Sequence, residues 1–453
     1  YSIFSLMRSG EELAEALTRA SDSEDLKDVI DPYIQVADSD KCCEFTGLNL
    51  YDIWRYFRHT WVNPYQSVPG RSLNLLVRDA AAPNHPVIGI ASLGSAVVHQ
   101  TARDNLIGWQ GDDVIKAFEE NPSRPRANWL IESLDRLFGS IYTLDLIADG
   151  LIRKLDLRKP DDESIARLER EALAAKERHR SNPNPARISS QQVYEPGFDW
   201  EKVAEIDLYR SKRCAVLATL LGIRKAFVDA GFTSATPKSL RSALQKSAFR
   251  DAVRSLVARI KAERVGINMM DITVCGAIPP YTHLLGGKLV CLLLTSPEVQ
   301  RIYEKRYGNI PSIIASGLKG ERVVRSPALV CLSTTSLYGR NSSQYNRVRL
   351  PAEAIGGRNG LEVRYARGGN GEEDSHRSQG FGTFHFRETT LRALDEWIKE
   401  LVREAKDASA KRVNYIFGEG TSPKLRKLRD CISEVGLPGD EALKHERSRI
   451  VYF

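Results

Sequence analysis

A helical periodicity that runs from about residue 113 to 264, between two blocks that read as strands, constrains the fold of this chain more than any other feature. Within it Asn128–Ile152 is apolar, Asp161–His179 is highly charged, and Trp200–Ala230 and Ser239–Arg264 are amphipathic. Before it, Ser72–Val77 and Pro86–Ser95 have strand character and are joined through the turn-forming Ala82–His85. After it, strands are predicted at Val265–Cys275, Ile310–Ser316 and Ala328–Thr335, with a helix over about 285–307. This order predicts a mixed α/β (α+β) fold, helices packed on a sheet whose sequence is divided by an all-helical insertion. The expected organisation is an N-terminal helical segment over 1–60, a first part of the core over 61–112, the insertion over 113–264 and a second part of the core over 265–355. A flexible Gly-, Glu- and Arg-rich loop over 356–380 and a basic α/β subdomain over 381–453 complete it.

A chain of 453 residues has room for two or three domains. Its 65 Lys+Arg against 58 Asp+Glu are compatible with nucleic acid without being diagnostic of it, so local clusters matter more. Seven cysteines with no C-x-x-C pair read as reduced interior residues, and the histidines form no H-E-x-x-H, so no metal site is implied. No apolar run reaches the roughly 20 residues that span a bilayer, which makes a cytoplasmic protein without a membrane partner the expectation. The chain begins at Tyr1, without methionine, which leaves its native start open.

Three stretches carry candidate chemistry. In Met269–Glu298 an apolar strand runs into a Pro-rich turn and then into a helix at Gly286, Gly287 and Lys288. Free amides at a helix start and the helix dipole favour an anion there, and Lys288 adds a cation. The glycines serve equally well to let a strand and a helix pack closely, and the spacing is not that of a P-loop. The second stretch, Ser333–Arg349, follows an apolar strand and is dense in hydroxyls and amides, with Tyr338 and Tyr345 interleaved with Arg340 and Arg347. It suits a sugar, a base edge or an acyl carbonyl, or else it is an ordinary polar turn. The third, Tyr51–Trp61, mixes Trp54, Tyr56 and Trp61 with Arg55, Arg58 and His59; it either stacks bases or docks a helix on the core.

Basic runs at Arg241–Arg264 and at Gly418–Arg429 are candidate phosphate contacts; the second places Lys424, Arg426 and Lys427 after a Ser422 cap and Pro423. No G-x-S-x-G elbow is present. A two-metal nuclease would draw on Asp79, Asp104, Glu353 and Glu388.

Pro86–Trp109, Ile278–Leu294, Leu332–Pro351, Phe384–Phe386 and Phe417–Arg429 together resemble the ordered motifs of the Druantia DruA family, over about residues 50–453. The resemblance implies a bacterial protein of anti-phage defence, in a system whose partners include a large helicase-like protein. The strand, turn and helix over 271–294, with the strand and Tyr-containing run that follow, also resemble the GNAT acyltransferase fold, in particular its Mom-like relatives that modify DNA. That likeness implies a GNAT-like sheet core whose turn, His283 to Gly287, holds the diphosphate of an acyl-CoA. The signature Arg/Gln-x-x-Gly-x-Gly/Ala is replaced here by Thr282-His283-Leu284-Leu285-Gly286-Gly287.

The resulting expectation is a defence protein that recognises or modifies DNA. Ser342, Ser343, Tyr345 and Asn346 would orient substrate, with Tyr338 or His283 as proton carrier; Gly286, Gly287 and Lys288 would hold a cofactor. Arg340, Arg347, Lys424, Arg426 and Lys427 would meet nucleic acid. A non-catalytic DNA-binding or assembly subunit and a metal-dependent nuclease are the alternatives, and a homo-oligomer is compatible with either.

Overall fold

The strand blocks on either side of the helical stretch lie next to each other. The computed structural model describes residues 2–22, 24–61, 70–182, 188, 192–195, 197–284, 286–336, 343–368, 376–381, 386–404 and 423–453. Its strands are β1 (Pro32–Val36), β2 (Ser72–Asp79), β3 (Val87–Ser95), β4 (Met269–Ala277), β5 (Cys331–Ser336), β6 (Arg349–Pro351), β7 (Glu362–Arg364), β8 (His376–Phe381) and β9 (Lys444–Tyr452). Seven form one sheet in the order β1-β2-β3-β4-β5-β9-β8, and β6 pairs with β7 in a separate ribbon. All neighbours are antiparallel except β4 and β5, which run parallel.

Apolar side chains on both faces of the sheet bury it between two helical layers. On one face Leu73, Leu75, Val77, Met270 and Ile272 pack with Leu13 of the Gly10–Arg19 helix, Val290 and Leu294 of the Lys288–Leu294 helix, and Val299 and Tyr303 of the Pro297–Tyr307 helix. On the other, Leu76, Ile90 and Val274 pack with Ile53, Trp54 and Phe57 of the Leu50–His59 helix. Ile272 and Val274 are two apart yet belong to opposite faces. A bulge explains this: Ser92 faces Val274 and Leu93 faces Ile272, so Thr273 is the extra residue and resets the alternation.

The insertion between β3 and β4 is helical, as its periodicity predicts, and has clusters of its own, one around Leu130, Leu134, Leu220, Phe249 and Leu256 and another around Leu146, Leu168, Leu217 and Leu221. Its last helix, Ser247–Asn268, ends directly on β4. There Lys261 reaches buried Asp104 at 2.7 Å, beside Arg103, which ties this helix to the Thr101–Ile107 helix that follows β3.

Several expectations are corrected. Ile310–Ser316, read as a strand, contains the start of the Ile313–Lys319 helix: the Ser312 side chain caps it by accepting from Ala315 N at 3.3 Å, and left-handed Gly320 (φ 72°) ends it. The N-terminal segment is not wholly helical, because Pro32–Val36 adds as an edge strand to β2. The 285–307 helix is two helices, interrupted at Ser296-Pro297 where proline opens the second. The stretch expected as a loop, 356–380, contains β7 and most of β8.

Candidate functional site

Between β4 and β5 the ladder lasts for three residue pairs, from Met269–Cys331 to Asp271–Ser333, and then stops. Beyond that point β4 stays with β3, and bulges at Thr273, while Thr334–Ser336 turn to β9. Two parallel strands that part leave backbone edges facing a gap, and here the gap is a cavity of about 440 Å³. That size lies in the range of small-ligand sites, roughly 300–1,000 Å³. Its walls are β4 from Asp271 to Cys275, Thr334–Ser336 of β5, and Ser343–Tyr345. Arg58, Trp61 and Gln100 close it from the other side.

Polar groups are interspersed in the lining. Asp271 accepts from the Ser333 hydroxyl, and from Val97 N at 3.2 Å. Burial pushes its carboxyl above the usual range, against the pull of those two hydrogen bonds and of Arg103. Thr334 Oγ1 spans the start of the gap to Ile272 O at 3.2 Å, and Gln344 Nε2 spans it farther out to Cys275 O at 3.3 Å. Two lining residues each carry a buried side-chain atom without a hydrogen-bond partner: Ser343 Oγ, on a residue only 5 % exposed, and Gln100 Oε1. At the wall the Trp61 ring lies against β4 so closely that a Cβ on Gly276 would stand 2.8 Å from it. The Arg58 guanidinium sits 5.4 Å from the same ring.

The residues predicted from the sequence separate into groups. Ser343 and Tyr345 line the cavity. The Tyr345 hydroxyl accepts from Thr334 Oγ1 at 3.4 Å, and its ring packs on Tyr365 and Tyr452 at 5.0 and 5.3 Å. Burial holds its phenol well above the usual range, with Cys275 and Cys291 acting in the same direction, so it stays protonated. Asn346 is tied to Tyr452 Oη at 2.7 Å and to Arg367 Nη2 at 3.1 Å. His283 and Lys288 are exposed and are not among the lining residues. Gly286 takes φ 54° with open space around its Cα. Gly287 is different: a Cβ there would overlap Gln344 Oε1 and stand 2.7 Å from Gln344 Cδ. A side chain here would displace the Gln344 carboxamide, which lines the cavity.

Arg347 is exposed, whereas Arg426 is 5 % exposed and is thus an interior residue rather than the open cation expected. Tyr338, Arg340, Ser342, Leu285 and the side chain of Lys424 lie outside the described residues; Lys427 is half-buried. In Tyr51–Trp61 the reading divides: Trp54 is interior, its Nε1 donating to Ala91 O at 2.9 Å, while Arg58 and Trp61 reach the cavity. The four carboxylates weighed for metal chemistry do not converge. Asp79 accepts from Arg8 and Tyr281, Asp104 from Arg103 and Lys261, Glu353 from Gly360 N, and Glu388 from Arg392. Among the described residues no three His, Cys, Asp or Glu side chains are placed to hold a metal ion, and no helix is long and apolar enough to cross a membrane.

Gln100 and Asp271 are site residues that sequence reasoning passed over as such. Asp271 had a signal, a lone carboxylate inside the apolar strand MMDITV. Gln100 had none, because only the pairing of β3 with β4 brings it there.

The sequence matches the model of the family described as Druantia protein DruA over residues 18–120 and 240–453. The unmatched interval falls within the helical insertion. One curated relative, Druantia protein DruA of Escherichia coli (strain UMEA 4076-1), is 31 % identical over 186 residues, 41 % of this chain. The match spans only 39 % of that relative's length. No solved structure matches the chain. With the family model covering well over half of its residues, this chain belongs to the Druantia protein DruA family.

Proposed function

We propose that the chain acts in anti-phage defence by recognising nucleic acid, and that an unstacked nucleotide enters the cavity between β4 and β5. The observation that carries this reading is the pair of buried, unpartnered atoms Ser343 Oγ and Gln100 Oε1 on two residues that line one cavity. Leaving a buried polar atom unpaired costs about 1–3 kcal/mol, a cost that a base edge or sugar hydroxyl would remove. Trp61 adds a ring for stacking beside the Arg58 cation.

The strand, turn, helix and parallel strand from β4 to β5 stand in the order that the acyltransferase resemblance implies, which supports kinship with that fold. An acyl-CoA does not fit the turn. Gln344 fills the space over Gly287 where a phosphate would approach the backbone, and Lys288 stands apart from the cavity. The cavity then serves as a recognition site. Other subunits of the defence system, a helicase-like protein among them, are the proposed partners.

The test is fluorescence anisotropy with a labelled single-stranded 20-mer, comparing the chain with its Gln100→Leu/Ser343→Ala variant, followed by phage challenge of cells that carry the whole system. A tenfold or greater loss of affinity and loss of protection, with thermal stability equal to the parent's or above it, is expected. Equal affinity of variant and parent would remove the cavity from the account, and no binding by the parent would remove nucleic acid.

A further inference from the structure

The two-stranded ribbon of β6 and β7 grows out of the cavity wall. Its roots are core residues: Val348 and Tyr365 pack in the same cluster as Tyr345, and Tyr365 Oη donates to Cys291 O at 3.0 Å. From residue 347 to 367 the chain carries five arginines against two glutamates. The register puts Arg349 directly opposite Arg364, and Leu350 opposite Val363. Because side chains alternate, one face of the ribbon carries the two arginines in solvent, and the other carries the half-buried Leu350 and Val363. Arg347 and Arg358 are exposed as well.

Like charges directly opposite on a ladder repel. A surface normally relieves such a pair with an acid. Yet among the described residues Arg347, Arg349, Arg358 and Arg364 make no ion pair or side-chain hydrogen bond. Of the two glutamates, Glu353 is occupied in accepting from Gly360 N at 2.8 Å, and Glu362 lies two places along the face from Arg364, opposite Pro351. Two exposed arginines at directly opposite positions of a ladder suit an anion with several acceptor oxygens. Arg349 is four residue steps from Tyr345, so at most about 14 Å of chain lies between the cavity and the pair.

We infer that Arg349 and Arg364 hold backbone phosphates that flank the nucleotide in the cavity, an inference that rests on the nucleic-acid reading above. The ribbon positions the strand, and the cavity reads it. A phosphate contact carries a salt signature, since each one adds about 0.7 to the slope of log affinity against log salt for a single strand.

Affinity for the labelled single-stranded 20-mer is measured at 50 and 200 mM salt for the parent, for Arg349→Gln/Arg364→Gln and for Arg349→Lys/Arg364→Lys. Losing two phosphates predicts that the parent weakens over this range by about sevenfold more than the Gln variant does. The Lys variant keeps most of the parental slope and its thermal unfolding matches the parent, while the Gln variant, relieved of the opposed charges, is as stable as the parent or slightly more so. An unchanged affinity and slope in the Gln variant would overturn the ribbon's role, while loss of binding in Gln100→Leu/Ser343→Ala would leave the cavity reading intact. No oligonucleotide binding by the parent would overturn both. If phosphatidylserine vesicles bind the parent and not the Gln variant, with oligonucleotide binding equal in the two, the arginines serve a membrane surface and the inference is wrong.

Discussion

Gly287→Ala tests whether this glycine is required by Gln344 or by a ligand. The φ of −86° and ψ of 1° at Gly287 suit alanine, so the backbone alone would gain about 0.4–1 kcal/mol from the less flexible unfolded chain. Against this, the new Cβ would overlap Gln344 Oε1 and stand 3.1 Å from Gln344 Nε2. The carboxamide must swing away, and its 3.3 Å bond to Cys275 O is lost, which costs about 0.5–1.5 kcal/mol. The two effects nearly cancel, so Gly287→Ala alone is close to neutral. In a Gln344→Ala background the clash is gone and only the gain remains. The double-mutant cycle therefore carries a coupling of about 1 kcal/mol. Opening free energies from native-state hydrogen exchange in β4 and the Lys288–Leu294 helix are the suitable measure, because a chain with several separate cores does not unfold as one unit. Equal effects of Gly287→Ala in both backgrounds would refute the reasoning and return the glycine to a role in ligand approach.

Other outcomes follow from the same geometry. The raised carboxyl of Asp271 means that the folded state holds its proton to higher pH than the unfolded state, so its contribution to stability is full below the ordinary value of 3.8 and is lost as pH rises through the folded value. Asp271→Asn removes this term, and the stability of the parent relative to the variant should fall as pH is raised above that point; hydrogen exchange in β4 that keeps the difference constant would contradict it. Ser343→Ala should leave the unliganded protein as stable or more so, since it deletes an unpaired buried hydroxyl, and clear destabilisation in thermal unfolding would show that the hydroxyl has a partner. Trp54→Phe loses the bond to Ala91 O and should cost about 1–3 kcal/mol, read by exchange in β3; an unchanged β3 would place the indole outside the core.

The two-block reading of the sheet came from strong local signals, and the pairing of Ser95 with Met270 is its spatial consequence. β1 was not legible, because Tyr33–Val36 is short and becomes a strand only against β2. In the 310–319 stretch a row of isoleucines spoke for a strand while the Ser312 cap and Gly320 spoke for a helix, and capping won. The polar run from Ser333 to Arg349 left a site and an ordinary turn open in the sequence, and its Thr334–Ser336 and Ser343–Tyr345 line the cavity. The cavity itself depends on a bulge at Thr273 and on the parting of β4 from β5, neither of which leaves a mark in nearby sequence. Likewise Tyr51–Trp61 announced its composition, but only packing sends Trp54 inward and Trp61 to the cavity wall.

Photocrosslinking tests the central claim most directly. A single-stranded 20-mer that carries 5-bromouracil is irradiated on the intact chain and the attachment sites are mapped by peptide mass spectrometry. The account predicts attachment at Trp61 and within Ser343–Tyr345, reduced in Gln100→Leu/Ser343→Ala. Attachment confined to the helical insertion or to the C-terminal subdomain, with none on the walls of the cavity, would contradict it.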